Sequence, residues 1–247
     1  MEGRVAIVTG AARGIGAAIA RTLAAQGATL LLADLDGAAA ETLATQLPQA
    51  HAPQADVADP ADAERLAHTA ETLFGRIDIL VNNAGIGLNK PFMDTTPDDI
   101  ARVMRVNLSG ALLCSQAALR RMIPAGYGRI VNIASISGQR GSTGRTAYGD
   151  SKAALELMTK VMTVELAHHG ITINAVAPGA VETEMATQIH DSRTRQAFHD
   201  RTPAGRYATP NEIAAAVAYL ASNAAAYVNG QVIAVDGGLT AAGVVTP

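Results

Sequence analysis

Short, continuous apolar runs alternate along the chain with Ala-rich stretches whose apolar residues recur at helical spacing. Continuous runs are typical of strands buried on both faces of a parallel sheet, because every side chain of such a strand points into a core. The runs are VAIVT, TLLLAD, IDILVNN, RIVNIAS, ITINAVAP and QVIAVDGG. Their alternation with helices over short connections predicts a doubly wound α/β fold, a parallel sheet of about seven strands with helices on both faces.

One segment, 180–209, breaks this pattern with patches of polar, charged and apolar residues. No linker rich in Pro, Gly or Ser divides the chain, so we expect a single domain over 1–247. A long excursion inside an α/β domain is usually functional, and this one follows the end of a strand, where such folds bind ligands. We predict that 180–209 is a substrate lid; the alternative is a mobile surface insertion without a role.

Composition and charge exclude several classes of protein. The 247 residues are 49% apolar and 17% charged, which is typical of a globular protein. The net charge of −3 argues against nucleic acid or an anionic membrane as the main partner, since both require a concentrated basic patch. No apolar run approaches the roughly 20 residues that span a bilayer, and no signal pattern precedes the first strand, so we expect a soluble, cytoplasmic protein. No metal site is expected, because the histidines lack ligand spacing and Cys114, the only cysteine, is typical of a small buried side chain.

Three glycines, Gly10, Gly14 and Gly16, lie between the first strand and the first helix. Glycines at this point allow a tight turn and a close approach of the backbone to a phosphate, which the amide N–H groups and positive end of the helix attract. The spacing G-x3-G-x-G differs from the commonest dinucleotide fingerprint. Because the glycines follow a strand and precede a helix, they predict a site for the pyrophosphate of a dinucleotide.

Asp34 ends the second strand, 18 residues after Gly16. A carboxylate at about this distance accepts hydrogen bonds from the adenosine ribose and repels a 2′-phosphate, which favours NAD over NADP. Leu35 follows where a phosphate-binding cation would be useful. Arg13 is the contrary signal, because it could reach a 2′-phosphate; otherwise it is a solvated cation near the pyrophosphate. Asp36 is typical of a helix N-cap.

Tyr148 and Lys152 are four residues apart in a helical stretch, so they share one face of the helix. Tyrosine has an ordinary pKa near 10, and a nearby ammonium favours the phenolate. We predict that Lys152, together with the positive nicotinamide of an oxidised cofactor, lowers the pKa of Tyr148 toward 7, which requires about 4 kcal/mol. The pair therefore predicts a tuned acid/base rather than a structural contact.

An ordered set of motifs resembles the short-chain dehydrogenase/reductase family almost from end to end. The set contains TGAARGIG in the first turn, DVAD, NNAG, VNLSG, a serine 13 residues before the tyrosine, YGDSK, and PG followed by a threonine. A single Y-x3-K occurs by chance, whereas the whole series in this order is specific. The resemblance implies a Rossmann-type fold, an NAD(P)-dependent oxidoreductase and a homotetramer, formed through the helices beginning near Asp98 and Thr146 and through the last strand with the preceding helix from Pro210.

The resemblance also implies the roles of individual residues. Tyr148 is the implied general acid/base, with Lys152 holding the nicotinamide ribose, Ser135 bonding the substrate oxygen, and Asn107 holding a water that links Lys152 to solvent. The cofactor-binding set is Gly10, Arg13, Gly14, Ile15, Gly16, Asp34, Leu35, Asp56, Val57, Asn83, Ala84, Gly85, Tyr148, Lys152, Pro178, Gly179, Val181 and Thr183.

Other polar residues lie near the expected substrate entrance. The substrate contacts are predicted to be Ser135, Tyr148 and Gln139, the last as a specificity contact. Arg140 and Arg145 also lie between Ser135 and Tyr148 in the sequence. His190 and His199 fall in the 180–209 segment; solvated surface is the default for a histidine, and the alternative is that they meet the substrate.

These observations predict reversible hydride transfer between NAD and a secondary alcohol or ketone of the polyol, sugar or hydroxy-ketone class. The first alternative is an NADPH-dependent reductase of 3-oxoacyl thioesters, because family members with that activity share the whole motif set. The second alternative is a non-catalytic dinucleotide sensor. Such sensors usually lose the tyrosine or the lysine, and both are present here.

Overall fold

The computed structural model describes residues 1–243, and residues 244–247 of the predicted single domain lie outside the described part. The strands are β1 (Val5–Thr9), β2 (Thr29–Ala33), β3 (Ala50–His51), β4 (Ile79–Asn82), β5 (Gly128–Ile133), β6 (Ile171–Pro178) and β7 (Val232–Val235). They form one parallel sheet in the order β3-β2-β1-β4-β5-β6-β7. The predicted doubly wound sheet of seven strands is therefore confirmed. The strand order reverses between β1 and β4, and ligands of such sheets bind at the carboxyl ends beside this point.

Helices cover both faces of the sheet. They are α1 (Gly14–Ala25), α2 (Gly37–Ala44), α3 (Pro60–Phe74), α4 (Pro97–Met104), α5 (Gly110–Ala125), α6 (Thr146–Leu166), α7 (Glu184–Ile189), α8 (Ser192–Arg201) and α9 (Pro210–Ala221). A π-helical turn, Arg105–Ser109, joins α4 to α5. None of the helices in residues 1–243 is long and apolar enough to cross a bilayer.

Two apolar cores, one on each face, explain the continuous apolar runs. In β1, Ala6 and Val8 pack into the core beneath α1, α2 and α9, whereas Val5 and Ile7 pack into the core beneath α3, α5 and α6. Successive side chains of a strand point to opposite faces, so a strand with a core on each side must be apolar throughout. Cys114 is buried in the second core, as expected for a small apolar side chain, and burial raises the pKa of its thiol to about 12.

The 180–209 segment folds into α7 and α8 beside the carboxyl edge of the sheet. Its two ends are joined, because Val181 pairs with Ala208 in an isolated parallel bridge. The N–H of Glu182 donates to the carbonyl of Ala208 at 2.9 Å, and the N–H of Ala208 donates to the carbonyl of Ala180 at 2.9 Å. The segment is therefore a closed loop with a fixed base rather than an open insertion.

Candidate active site

A cavity of about 740 Å³ lies at the carboxyl ends of the central strands. This volume is in the range of cofactor and substrate sites. It brings together 19 of the residues predicted from the sequence: Gly10, Arg13, Gly14, Ile15, Gly16, Asp34, Leu35, Asp56, Val57, Asn83, Ala84, Gly85, Ser135, Tyr148, Lys152, Pro178, Gly179, Val181 and Thr183. One continuous space thus connects the glycine turn to the tyrosine–lysine pair.

The glycine turn is built by close backbone packing. Gly10 has a φ of 62°, a conformation that favours glycine. A Cβ atom on Gly16 would lie 2.0 Å from the carbonyl oxygen of Gly10, so a side chain has no room there. The Asn83 amide donates to the carbonyl of Gly10 at 2.8 Å, and Thr9 Oγ1 accepts from the N–H groups of Asn83 and Ala84, both at 3.1 Å. These bonds attach the turn to the loop after β4. The turn ends at the N-terminus of α1, whose free N–H groups fit a phosphate cradle.

The Asp34 end of the cavity is acidic. The Asp34 carboxylate is oriented by two backbone donors, the N–H of Ala12 at 2.9 Å and the N–H of Asp36 at 3.0 Å. Arg13, the cation that the sequence indicates for a 2′-phosphate, forms an ion pair with Asp36 at 2.6 Å. Leu35 is 68% exposed and offers no charge. Asp36 also caps α2 by accepting from the N–H of Ala39, as expected.

At the other end of the cavity, β5 and α6 position Ser135, Tyr148 and Lys152. Lys152 is 4% exposed, and its ammonium donates to the carbonyl of Ile133 at 2.7 Å. Its Nζ lies 5.7 Å from the centre of the Tyr148 ring, as the helical spacing predicts. Burial lowers the pKa of Lys152 to about 8.

Burial is also the largest effect on Tyr148, and it raises the pKa of the phenol. The protein groups that lower this pKa are Ser135, through a hydrogen bond, and the positive charge of Arg145. Without a cofactor the net effect of the protein is therefore to raise this pKa, because removing the phenol from water disfavours the phenolate more than the neighbouring groups favour it. The predicted lowering includes the positive nicotinamide of an oxidised cofactor, and it stays a prediction. The protein by itself holds Tyr148 as a neutral phenol.

Asn107 does not line this cavity but is buried directly behind it, in the π-helical turn. Its amide nitrogen donates to the Ile86 carbonyl at 3.1 Å and to Ser151 Oγ at 3.0 Å, and its Oδ1 accepts from the N–H of Ile86 at 2.8 Å. A Cβ atom on Gly85 would lie within 3.2 Å of Asn107 Oδ1 and 3.6 Å of Lys152 Nζ. The asparagine and the lysine thus lie near each other behind Gly85, and single π-helical turns are frequent at functional sites.

The structure does not bring Gln139 to the cavity. Its amide is exposed and donates to Glu156 at 3.1 Å. The neighbouring residues that do line the cavity beside Tyr148 are Arg145, His190 and Phe198, the last two from the 180–209 segment. The sequence indicates that Arg145 lies near Tyr148, because the two are three residues apart. No local pattern predicts the contact between Arg145 and His190.

The 180–209 segment forms the outer wall of the cavity. Thr183 caps α7 by accepting from the N–H of Ala186, and a Cβ atom on Gly14 would lie 3.4 Å from the Thr183 methyl group. At the other end of α7, a Cβ atom on Gly87 would lie 2.7 Å from Ile189 Cδ1. The segment therefore packs against the glycine turn and against the loop after β4.

Comparison with known proteins is consistent with this geometry. The family model described as enoyl-(acyl carrier protein) reductase matches residues 10–240. The chain is 42% identical to D-threitol dehydrogenase of Mycolicibacterium smegmatis over 97% of this chain and 94% of that protein. It is 38% identical to a 3-oxoacyl-[acyl-carrier-protein] reductase of Aquifex aeolicus over 97% of this chain and 98% of that protein.

Among solved structures, a gluconate 5-dehydrogenase from Burkholderia cenocepacia, in complex with NADP and tartrate, superposes with a TM-score of 0.93 at 39% identity. The likeness covers 98% of this chain and 97% of that one. The chain belongs to the short-chain dehydrogenase/reductase family, and it is an oxidoreductase with a Rossmann-type fold.

Proposed function

We propose that this protein is an NAD-dependent dehydrogenase that interconverts a secondary alcohol and a ketone. The observation that carries the proposal is the single cavity that joins Asp34 and the glycine turn to Ser135, Tyr148 and Lys152. The glycine turn would hold the pyrophosphate of the dinucleotide, and Asp34 would hold its adenosine ribose. When bound, the nicotinamide would supply the hydride acceptor for oxidation and the hydride donor for reduction.

The protein's own residues handle the proton and the substrate oxygen. Tyr148 accepts the hydroxyl proton in oxidation and returns it in reduction. Ser135, which is buried at the end of β5, hydrogen-bonds the same oxygen. Lys152 is anchored to Ile133 and holds the nicotinamide ribose, while Asn107 holds a water on the path from Lys152 to solvent.

The preference for NAD rests on Asp34. Its carboxylate would repel a 2′-phosphate, and Arg13 is engaged by Asp36. The B. cenocepacia relative in complex with NADP shows that a similar chain takes the phosphorylated cofactor, so the preference requires its own measurement. We expect the kcat/KM for NADH to exceed that for NADPH. Asp34→Asn should reduce the ratio of these two kcat/KM values. A wild-type preference for NADPH would contradict the proposed preference for NAD.

The substrate class that we favour is polyols and sugar derivatives. Support comes from relatives named for D-threitol and gluconate. The second candidate, a 3-oxoacyl-thioester reductase, is favoured by the A. aeolicus relative and by the description of the family model. A screen of alcohols with NAD, read as NADH absorbance, tests the first candidate, and oxidation of NADPH by a 3-oxoacyl thioester tests the second.

Two further elements complete the proposal. The 180–209 segment acts as the substrate lid, because it walls the cavity beside Tyr148. The active form is a homotetramer, because α5 and α6 present exposed apolar side chains, and β7 is a partly exposed edge strand.

A further inference from the structure

Arg145 is a partly buried guanidinium on the wall of the cavity, beside the proposed proton donor. It is the N-cap residue of α6, three residues before Tyr148, and its Cζ lies 5.1 Å from the centre of the Tyr148 ring. Both side chains line the cavity. A substrate whose reacting oxygen meets Tyr148 therefore lies next to this cation.

Three features make this an unfavourable place for a cation in the protein itself. Burial lowers the pKa of Arg145, so removal from water disfavours its charge. The first turn of the 21-residue α6 carries positive partial charge, which repels a cation at the N-cap. Within residues 1–243, the guanidinium has no ion-pair partner; its contacts are the Leu88 carbonyl and the His190 ring, each at 3.3 Å. A partly buried cation in such surroundings is costly unless an opposite charge compensates it.

His190 orients the guanidinium without neutralising it. A guanidinium is a donor only, so Arg145 must donate to Nε2 of His190, which leaves the ring proton on Nδ1. Nδ1 lies 2.9 Å from the hydroxyl oxygen of Tyr207, which accepts that proton's hydrogen bond. Burial and the charges of Arg145 and Arg195 lower the pKa of His190, in agreement with a neutral ring. The contacts with the Leu88 carbonyl and with His190 use two of the five guanidinium N–H groups, and three remain for a ligand.

We propose that Arg145 binds the carboxylate of the substrate, so that the enzyme acts on polyhydroxy acids whose reacting alcohol lies a few carbon atoms from the acid group. The inference rests on the proposed function, because it takes Tyr148 as the group that meets the alcohol. The paired oxygens of a carboxylate match the fork of a guanidinium, which binds them through two parallel, charge-assisted hydrogen bonds. The other guanidinium groups that line the cavity have carboxylate neighbours, since Arg13 pairs with Asp36 at 2.6 Å and Arg105 lies 3.8 Å from Asp56. Among residues 1–243, Arg145 is therefore the cavity guanidinium left for an anionic substrate.

Equilibrium binding tests this subsite without turnover. The full chain saturated with NADH is titrated by calorimetry with three matched pairs: D-glycerate and glycerol, D-threonate and D-threitol, and D-gluconate and D-glucitol. With NADH present, the alcohol cannot be oxidised, so binding alone is measured. We expect an acid to bind about 10- to 100-fold more tightly than its neutral partner, as two charge-assisted hydrogen bonds provide.

The variants separate a carboxylate site from other roles of Arg145. Arg145→Gln should abolish the preference for the acid and leave the Kd of the neutral alcohol unchanged. Arg21→Gln removes the same charge from an exposed position on α1 outside the cavity and should change neither Kd. If Arg145→Gln does not fold, Arg145→Lys keeps the charge but loses the fork, and it should reduce the preference about three- to tenfold.

Each outcome is decisive. Equal binding of acid and alcohol by the wild-type protein overturns the proposal. Equal weakening of acid and alcohol binding by Arg145→Gln overturns it as well, because Arg145 would then affect only Tyr148 or the fold. An unchanged preference in Arg145→Lys, where that variant is the one available, overturns it too. If the acids bind preferentially but none is oxidised with NAD, the proposed function fails while the subsite stands. If neutral alcohols are oxidised and no acid is preferred, the subsite fails alone.

Discussion

Tyr148 shows how spacing and burial decide different properties of one side chain. The i, i+4 spacing places Lys152 close to the ring in any helix, and that proximity is present. The sign of the pKa shift depends instead on how much water the fold removes, and burial raises the pKa of the phenol. Without a cofactor the neutral phenol is therefore favoured, and in the proposed reaction a further positive charge beside Tyr148 is required for it to act as a base.

The first prediction concerns the hydroxyl of Tyr148. Tyr148→Phe keeps the ring and removes only the proton-transferring oxygen, so we expect kcat to fall about 100-fold or more. The Kd for NADH should stay within about twofold, because Lys152 and the glycine turn are untouched. Stopped-flow turnover and fluorescence titration of NADH give the two numbers. Unchanged turnover in this variant would assign the proton transfer to another group.

The pH dependence follows from the direction of the Tyr148 shift. Oxidation requires the deprotonated phenol, so below its pKa the rate should rise about tenfold for each pH unit, whereas reduction, which uses the phenol as acid, should fall at high pH. The measurement is kcat/KM in both directions from pH about 6 to 10. A deuterated alcohol shows whether hydride transfer limits the rate. A flat oxidation profile with a full isotope effect would exclude Tyr148 as the base.

At the scale of elements, the glycine turn can be recognised from the sequence, whereas the π-helical turn cannot. Gly10 follows β1, Gly14 and Gly16 lie in the first turn of α1, and their spacing is visible in the sequence. The π-helical turn around Asn107 leaves no mark in the local pattern, which continues as a helix from α4 into α5. A change of helical pitch depends on the contacts that Asn107 makes with Ile86 and Ser151, and these are distant in sequence.

Because the turn is tightly packed, a methyl group added at Gly16 should strongly destabilise the protein. In Gly16→Ala, the new Cβ would lie 2.0 Å from the Gly10 carbonyl oxygen and 2.6 Å from the Asn83 amide nitrogen. The turn must open, so we expect the free energy of unfolding to fall by about 3 kcal/mol and the Kd for NADH to rise. Gly141→Ala is the matched control, because nothing lies within 4 Å of its Cβ. Equal urea denaturation midpoints for the two variants would contradict the packing argument.

At the scale of the whole molecule, several of the exposed large apolar side chains lie in a row along α6, and one lies on α5. Leu157, Val161 and Val164 recur at helical spacing and are exposed, and Leu112 of α5 is exposed as well. A row of large apolar side chains in water is typical of a subunit interface. The surface supports the proposed pairing of these helices between subunits.

This surface predicts that carboxylates introduced on α6 will disrupt the tetramer. We expect light scattering to give a mass near four times 25.3 kDa for the wild-type protein and a smaller mass for Val161→Glu/Val164→Glu, because buried, unpaired carboxylates oppose association. Leu73→Glu, at an exposed position on α3, should leave the mass unchanged. A wild-type mass near one chain would refute the tetramer.

The sequence by itself determined six of the seven strands, the motifs that follow several of those strands, and the family to which the protein belongs. It could do so because double-sided burial requires continuous apolar runs, and because a turn or a helical pair is specified by neighbours a few residues apart. Only the tertiary structure decided the direction of the Tyr148 pKa shift, the position of Gln139 outside the cavity and the contact between Arg145 and His190. Burial, and contacts between residues 45 positions apart in the sequence, depend on the path of the loops in space, which local sequence patterns do not encode.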